Sequence, residues 1–252
     1  MLEMEHRARS GAGAPTTLHM DKPEALVEMG PCGRCQMRDI GICAAQAGEE
    51  LTNLSRRVRL AAKATVFEEG ARADSVWALV SGMVLLSKLL QDGRRQVVGI
   101  AVPGDLLGLS LQETNSFTAT ALTPAALCRF ERARFVELLE RAPGLMRRVF
   151  DTCTHELNLA QNHMLLLGRR SAEEKVATFL LSLRARCAPM HGLSARVDLP
   201  MTRQDIGDYL GLTLETVSRT MTRLAQRKII AVIPDGVRIL DTQKLSSAAG
   251  GL

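Results

Sequence analysis

Seven apolar or small residues, Met146, Phe150, Cys153, Leu157, Ala160, Met164 and Leu167, recur at spacings of 4, 3, 4, 3, 4 and 3. A 3.5-residue period held over three heptads marks a helix whose narrow apolar seam faces a second helix. Leu165 and Leu166 widen that stripe, so a helix buried under its own domain is the competing reading. The seam reading implies a homodimer joined through a helix over residues 143–169, which opens at Pro143-Gly144.

The preceding rhythm is different. Short apolar runs alternate with turn signals: Thr65–Phe67, Val76–Val80 before Ser81-Gly82, Met83–Leu86 before Gln91-Asp92-Gly93, and Val97–Ile100 before Pro103-Gly104-Asp105. Turn chemistry every 8 to 15 residues predicts a β-roll or barrel. Residues 1–30, rich in Gly, Ala, Pro, Ser and Thr, read as a mobile tail. Residues 31–142 read as a cysteine loop and a β-roll sensor domain, and 170–252 as a third unit.

That third unit is the basic one. Residues 169–240 hold twelve Lys/Arg against seven acids, which accounts for the whole chain's net charge of +5 and suits a polyanion. Thr202-Arg203-Gln204-Asp205 has the capping arrangement of a helix running to Leu210. Gly211 supplies a sharp turn, and Thr213 caps a second helix to about Lys228. On it Leu214, Val217, Met221 and Leu224 form an apolar face opposite Glu215, Ser218, Arg219 and Thr222. This is a helix-turn-helix, and Ile229–Ile233 with Val237–Leu240 across Pro234-Asp235-Gly236 reads as a wing. Arg219 suits guanine, Glu215 a cytosine amino group, and Ser218 close approach to a thymine methyl. Thr202 and Thr213 join the DNA-contacting set, and the partner expected is double-stranded DNA. A solvated face with a Glu215–Arg219 pair is the alternative.

Cysteines supply the other chemistry. Cys32-x2-Cys35-x7-Cys43 places three thiols in a 12-residue loop, with Cys128 far off in the β-roll. Four thiolates suit zinc or an iron–sulfur cluster, and the spacing leaves that choice open. Cys153 falls in the seam and reads as a packing residue; Cys187 follows Arg184-Ala185-Arg186 and reads as a packed or surface cysteine, with a reactive thiol the alternative. The histidines at 6, 19, 155, 163 and 191 lack ligand spacing, and no nucleophile–base set supports an enzyme. The 252 residues, 46% hydrophobic and 23% charged, suffice for a core without disulfides. The uncharged run Asn115–Cys128 is too short to span a bilayer, and the first residues carry no apolar signal segment. A cytoplasmic protein without membrane partners is expected.

The segment from Leu199 to Arg219, with Thr202-Arg203-Gln204-Asp205-Ile206-Gly207 and Leu214-Glu215-Thr216-Val217-Ser218-Arg219, resembles the winged helix-turn-helix of the Crp/Fnr transcription regulators. The likeness covers about residues 30 to 245. It implies an α+β fold: an N-terminal β-roll of the cyclic-nucleotide-binding jelly-roll kind, a long dimerisation helix and a C-terminal winged helix-turn-helix. Glu-x-x-Ser-Arg at 215, 218 and 219 is similar to the Fnr-type reading face, which implies TTGAT-N4-ATCAA-like sites. The family's phosphate cassette has Gly-Glu followed by Arg-Ser or Arg-Thr. Here Leu109 follows Gly108, and Asn115 stands at the arginine position, so cyclic-nucleotide binding is not expected. The resemblance to Fnr-type oxygen sensors of the Cys-x2-Cys-x7-Cys subgroup implies a [4Fe–4S] cluster on Cys32, Cys35, Cys43 and Cys128. It also implies an RNA polymerase contact at Asp92, Gly93 and Arg94. The alternatives are a regulator with structural zinc, a cyclic nucleotide or a redox thiol, and a metal-binding interaction module that does not touch DNA.

Overall fold

The computed structural model describes residues 26–28, 35, 37, 39–44, 48–110 and 112–250. Two antiparallel sheets make the β-roll. The first holds β1 (Leu26–Glu28), β2 (Arg56–Leu60), β4 (Ser75–Ser81), β7 (Leu106–Leu107) and β9 (Ala125–Glu131), in the order β1-β2-β9-β4-β7. The second has β3 (Thr65–Phe67), β5 (Val84–Leu89), β6 (Arg95–Ala101) and β8 (Thr118–Ala121), in the order β3-β8-β5-β6. Alternate residues of paired strands meet between the sheets, where Leu79, Val84, Leu107, Ala119 and Leu127 form a buried cluster. Small alanines at 119, 121 and 125 let the backbones approach closely.

Helices follow. α1 (Gly48–Leu54) precedes the roll's main strands, and α2 (Arg132–Arg141) packs Phe135, Leu138 and Leu139 under the first sheet. α3 (Pro143–Arg169) starts with proline in its first turn, where a missing N–H costs nothing. α4 (Ala172–His191) opens on a capping box between Ser171 and Glu174. The helix-turn-helix is α5 (Arg203–Leu210) and α6 (Leu214–Gln226), and Gly211 ends α5 in the left-handed conformation, φ 62°. Three strands, β10 (Arg196–Asp198), β11 (Ile230–Ile233) and β12 (Gly236–Ile239), form the wing sheet in the order β10-β12-β11, and α7 (Thr242–Ala248) closes the chain. Among the described residues no helix is long and apolar enough to cross a membrane.

The two end units are less separate than the sequence reading has them. One buried cluster runs from Met83, Leu85, Val97 and Ile100 of the roll into Val176, Leu180, Ile206, Leu210 and Leu224. Polar contacts fasten the same junction. Arg95 pairs with Asp205 and, at 3.4 Å, with Asp208; Gln96 donates to the Asp208 carbonyl. Arg186 donates to Asp105 at 2.6 Å and to the Ile100 carbonyl at 2.7 Å.

Two further differences have simple causes. The expected tail over 1–30 loses its last part, because Leu26–Glu28 pair with β2. A three-residue strand is too short to show alternation. Residues 1–25 lie outside those described. The wing gains β10, whose Arg196-Val197-Asp198 carries one apolar residue between two charges and gives no hairpin signal.

Candidate functional site

The reading helix is built as a polar ridge on an apolar keel. Val217, Met221 and Leu224 are buried against α5 and the wing, and Thr220 joins them at 3% exposure. Leu214, placed on the apolar face by periodicity, is 44% exposed because it opens the helix, where no turn precedes it to define a face. Glu215, Arg219 and Thr222 are exposed, and Ser218 is half-buried between them. Thr213 caps the helix by accepting from the Thr216 N–H at 3.2 Å. Farther along, Arg223 and Arg227 turn away to Glu173 of α4. The first two turns of α6 therefore present their donors and acceptors outward, which is the geometry a major groove requires.

Thr202 does two things. Its hydroxyl accepts from the Asp205 N–H at 3.1 Å, while the Asp205 carboxylate accepts from the Thr202 N–H at 2.9 Å. Burial alone would raise the Asp205 pKa, but the Thr202 hydroxyl and N–H, with Arg95, outweigh it and hold the carboxyl below its ordinary range. Asp205 thus stays ionised as both a helix cap and the acceptor for the roll's Arg95.

α3 leaves its seam bare. Phe150 is 69% exposed, Met164 64%, Leu157 58% and Met146 44%, with Cys153 and Ala160 also exposed and Leu167 half-buried. Partial burial pushes the Cys153 thiol pKa up, with Glu156 adding to it, so the thiol stays neutral on the seam. Cys187 is likewise raised, chiefly by burial, and packs at the edge of the junction core.

Cys35 and Cys43 pack, half-buried, on the apolar cluster that includes buried Cys128. Cys32 lies outside the described residues. A 3-10 turn, Gly41–Ala44, seats the loop: Gly41 has φ 58°, and a Cβ there would meet the Gly104 carbonyl oxygen at 2.9 Å. The loop therefore rests backbone to backbone on the turn between β6 and β7. Cys128 stands in β9 opposite Arg57 of β2 and Ala78 of β4. The Arg57 Nε is buried and has no hydrogen-bond partner among the described residues. A cationic donor side by side with Cys128 fits an anionic thiolate-bound group. Among the described residues no three His, Cys, Asp or Glu stand close enough to hold a single metal ion.

Comparison with known proteins agrees with this architecture. A family model for the Crp-like helix-turn-helix domain matches residues 174–248, and one for the cyclic nucleotide-binding domain matches 57–142. The transcriptional activatory protein AadR of Rhodopseudomonas palustris is 45% identical over 235 residues, 92% of this chain and 98% of that one. The nitrogen fixation regulation protein FixK of Bradyrhizobium diazoefficiens is 44% identical, covering 86% of this chain and 93% of its own. The chain belongs to the Crp/Fnr family of transcription regulators. A solved structure, FixK2 from Bradyrhizobium japonicum, superposes with a TM-score of 0.71 at 34% identity, covering 77% of this chain and 96% of that one.

Asn115 stands where the family resemblance places the arginine of the phosphate cassette. Asn115 is 6% exposed; its N–H donates to Ala71, its carbonyl accepts from Gly70, and its Nδ2 reaches the Glu68 carbonyl at 3.4 Å. It clasps a loop and offers no cation. A cavity of about 950 Å³ between the roll, α3 and α5 has Asp105 and Glu156 in its wall. Burial raises both pKa values, and Asp105 raises Glu156 further. The same wall carries two cations, Arg186, which is committed to Asp105, and the buried Lys175. At the tip of the β5–β6 hairpin, Arg94 pairs with Asp92 at 2.7 Å around Gly93, and both side chains remain exposed.

Sequence reasoning missed Arg57, Arg95, Asp105 and Arg186. Cross-strand and cross-domain partners 70 to 110 residues apart leave no local signal.

Proposed function

We propose that this Crp/Fnr regulator is an oxygen-responsive transcription activator that binds TTGAT-N4-ATCAA-like sites as a homodimer. Cys32, Cys35, Cys43 and Cys128 would hold a [4Fe–4S] cluster. The observation that carries the reading is the packing of Cys35 and Cys43 on the apolar cluster containing Cys128. When bound, the cluster supplies oxygen-labile bonds between loop and roll. Four thiolates suit a cluster, in which each takes its own iron, and they suit tetrahedral zinc as well. The relatives' names, a transcriptional activatory protein and a nitrogen fixation regulation protein, agree with gene activation.

The chain's own residues do the rest. The loop seats Gly41 against Gly104; the bare seam of α3, from Met146 to Leu167, meets its copy in the partner. Two-fold symmetry then sets two α6 helices about one DNA turn, roughly 34–36 Å, apart. Glu215, Ser218 and Arg219 read base edges, Thr202 and Thr213 stand toward phosphates at the helix N-termini, and Asp92, Gly93 and Arg94 face RNA polymerase.

The test is anaerobic purification with visible spectrum, iron and sulfide content, and duplex binding before and after an air pulse. About four iron and four sulfide per chain, bleaching in air with loss of DNA affinity, is expected. A colourless chain holding zinc, or nothing after reconstitution, refutes the cluster and leaves the DNA-binding assignment standing.

A further inference from the structure

The cavity of about 950 Å³ between the roll, α3 and α5 also takes in Lys175 and Arg186 of α4. Its charges are unevenly matched. Arg186 donates to Asp105 at 2.6 Å and stands 3.9 Å from Glu156, so those three groups are committed to one another. Lys175 is not. Only 8% of the residue is exposed, yet its side chain makes no hydrogen bond or ion pair among the described residues. The helix that carries it is held in place: the Ser171–Glu174 capping box closes the first turn, and Val176, Ala177 and Leu180 are buried in the junction core.

A buried ammonium without a counter-charge is costly. This one lines a cavity, so the counter-charge can arrive with a ligand. The arginine position of the phosphate cassette plays no part, because Asn115 clasps its own loop and lies outside this wall. Lys175 comes instead from the reader side. Its charge is felt at His163 of α3, whose ring stacks on Tyr209 of α5 with centroids 4.1 Å apart. The uncommitted cation thus stands where the dimer helix meets the first two helices of the reader domain.

We infer that Lys175 marks an effector site for a monocarboxylate with a long apolar body, the carboxylate on its ammonium and the body along the apolar wall of the same cavity. One uncommitted cation matches one negative charge, whereas the second charge of a phosphate monoester would share the cavity with Asp105 and Glu156. Leu86, Ile100 and Leu159 supply apolar wall from β5, β6 and α3. A cavity of about 150 Å³ holds benzene, so this one has room for a body of roughly twelve non-hydrogen atoms or more. Seam residues Leu157, Ala160 and Met164 complete the wall, and the partner's α3 closes that side in the homodimer proposed above. An occupant touches roll, dimer helix and reader at once. The site stands whether or not the cysteines carry a cluster.

Titration calorimetry of the full-length dimer with decanoate and with 1-decanol, both below micelle-forming concentration, tests it. Decanoate should bind about tenfold tighter or more, the margin of a charge-assisted contact. Lys175→Met keeps the stem and removes a lone buried charge, so the melting temperature should hold or rise. In that variant decanoate should fall to the level of 1-decanol, with 1-decanol itself within twofold of the parent. Lys175→Arg restores a cation and should restore the preference. Equal affinities in the parent protein, or no binding of either probe, overturn the inference. So does a preference for decanoate that survives Lys175→Met, which places the carboxylate elsewhere. An equal loss of both probes in Lys175→Met reduces Lys175 to a structural residue and overturns it as well.

Discussion

The seam can be weighed residue by residue, and Leu157→Ala is the sharpest case. Leu157 is 58% exposed in the single chain. Burying a whole leucine side chain contributes about 1.5–3 kcal/mol, so covering the exposed part contributes about 1–1.7 kcal/mol per protomer. A two-fold interface counts the residue twice, and alanine forfeits most of the total, about 2–3 kcal/mol. The dimer constant should fall roughly 30- to 150-fold. Sedimentation equilibrium under anaerobic conditions, over a concentration series, measures it. Val136→Ala is the control: it is 45% exposed on α2, away from the seam, and should leave association within threefold. If Leu157→Ala also stays within threefold, or if its cost appears in the melting temperature at fixed oligomeric state, the helix serves its own domain. The interface would then lie elsewhere.

Arg219→Ala should weaken a TTGAT-N4-ATCAA duplex by about thirtyfold or more, from about 1–3 kcal/mol at each of two half-sites, with little change on a scrambled duplex. Fluorescence anisotropy that drops equally on both sequences reduces Arg219 to a phosphate contact. Asp205 is held below the ordinary carboxylate range, so its contribution to stability is present above about pH 3.9 and lost as pH falls through the lower folded value. Thr202→Val should flatten urea-denaturation midpoints across that acid window, and an unchanged slope rejects the cap as the cause. His163 acts in a different window. Its folded pKa is depressed, the unfolded chain takes the proton first, and stability should decline as pH falls below about 6.5. His163→Phe should remove that decline between pH 7.5 and 5.5, and a decline that persists assigns it to another group.

Much of this architecture is legible because it is local. The limits of α3 follow from Pro143 and the last apolar position at Leu167, and the observed helix is Pro143–Arg169. The Thr202–Asp205 capping box and the left-handed Gly211 are likewise where residue chemistry puts them. Leu214 shows the limit of periodicity, since the first residue of a helix has the right phase and no neighbour to pack on. What the sequence hides is long range. Asp205 reads as a cap and turns out also to receive Arg95, 110 residues earlier. Asn115 reads as a missing arginine, but its positive role in clasping Glu68, Gly70 and Ala71 needs the folded loop. The spacing of Cys35 and Cys43 is visible, whereas their seat on Gly104 depends on a backbone contact that no side chain announces.

The turn Pro103-Gly104-Asp105 is where these long-range contacts converge. On one side Gly104 bears the cysteine loop, with its would-be Cβ 3.3 Å from Ile40 Cγ2 and its carbonyl under Gly41. One residue later Asp105 accepts from the Val102 N–H at 2.8 Å and from Arg186 of α4 at 2.6 Å. Loop and reader domain therefore press on adjacent residues of one tight turn. This gives a change in the loop a short physical path to the reading helix, in contacts that have alternatives only if the turn moves. Asp105→Asn keeps the shape and removes the charge that holds Arg186. It should leave iron content untouched and shrink the ratio of anaerobic to aerated DNA affinity. A ratio equal to that of the parent protein would mean that the signal travels through the α3 seam alone, with the turn a passive brace.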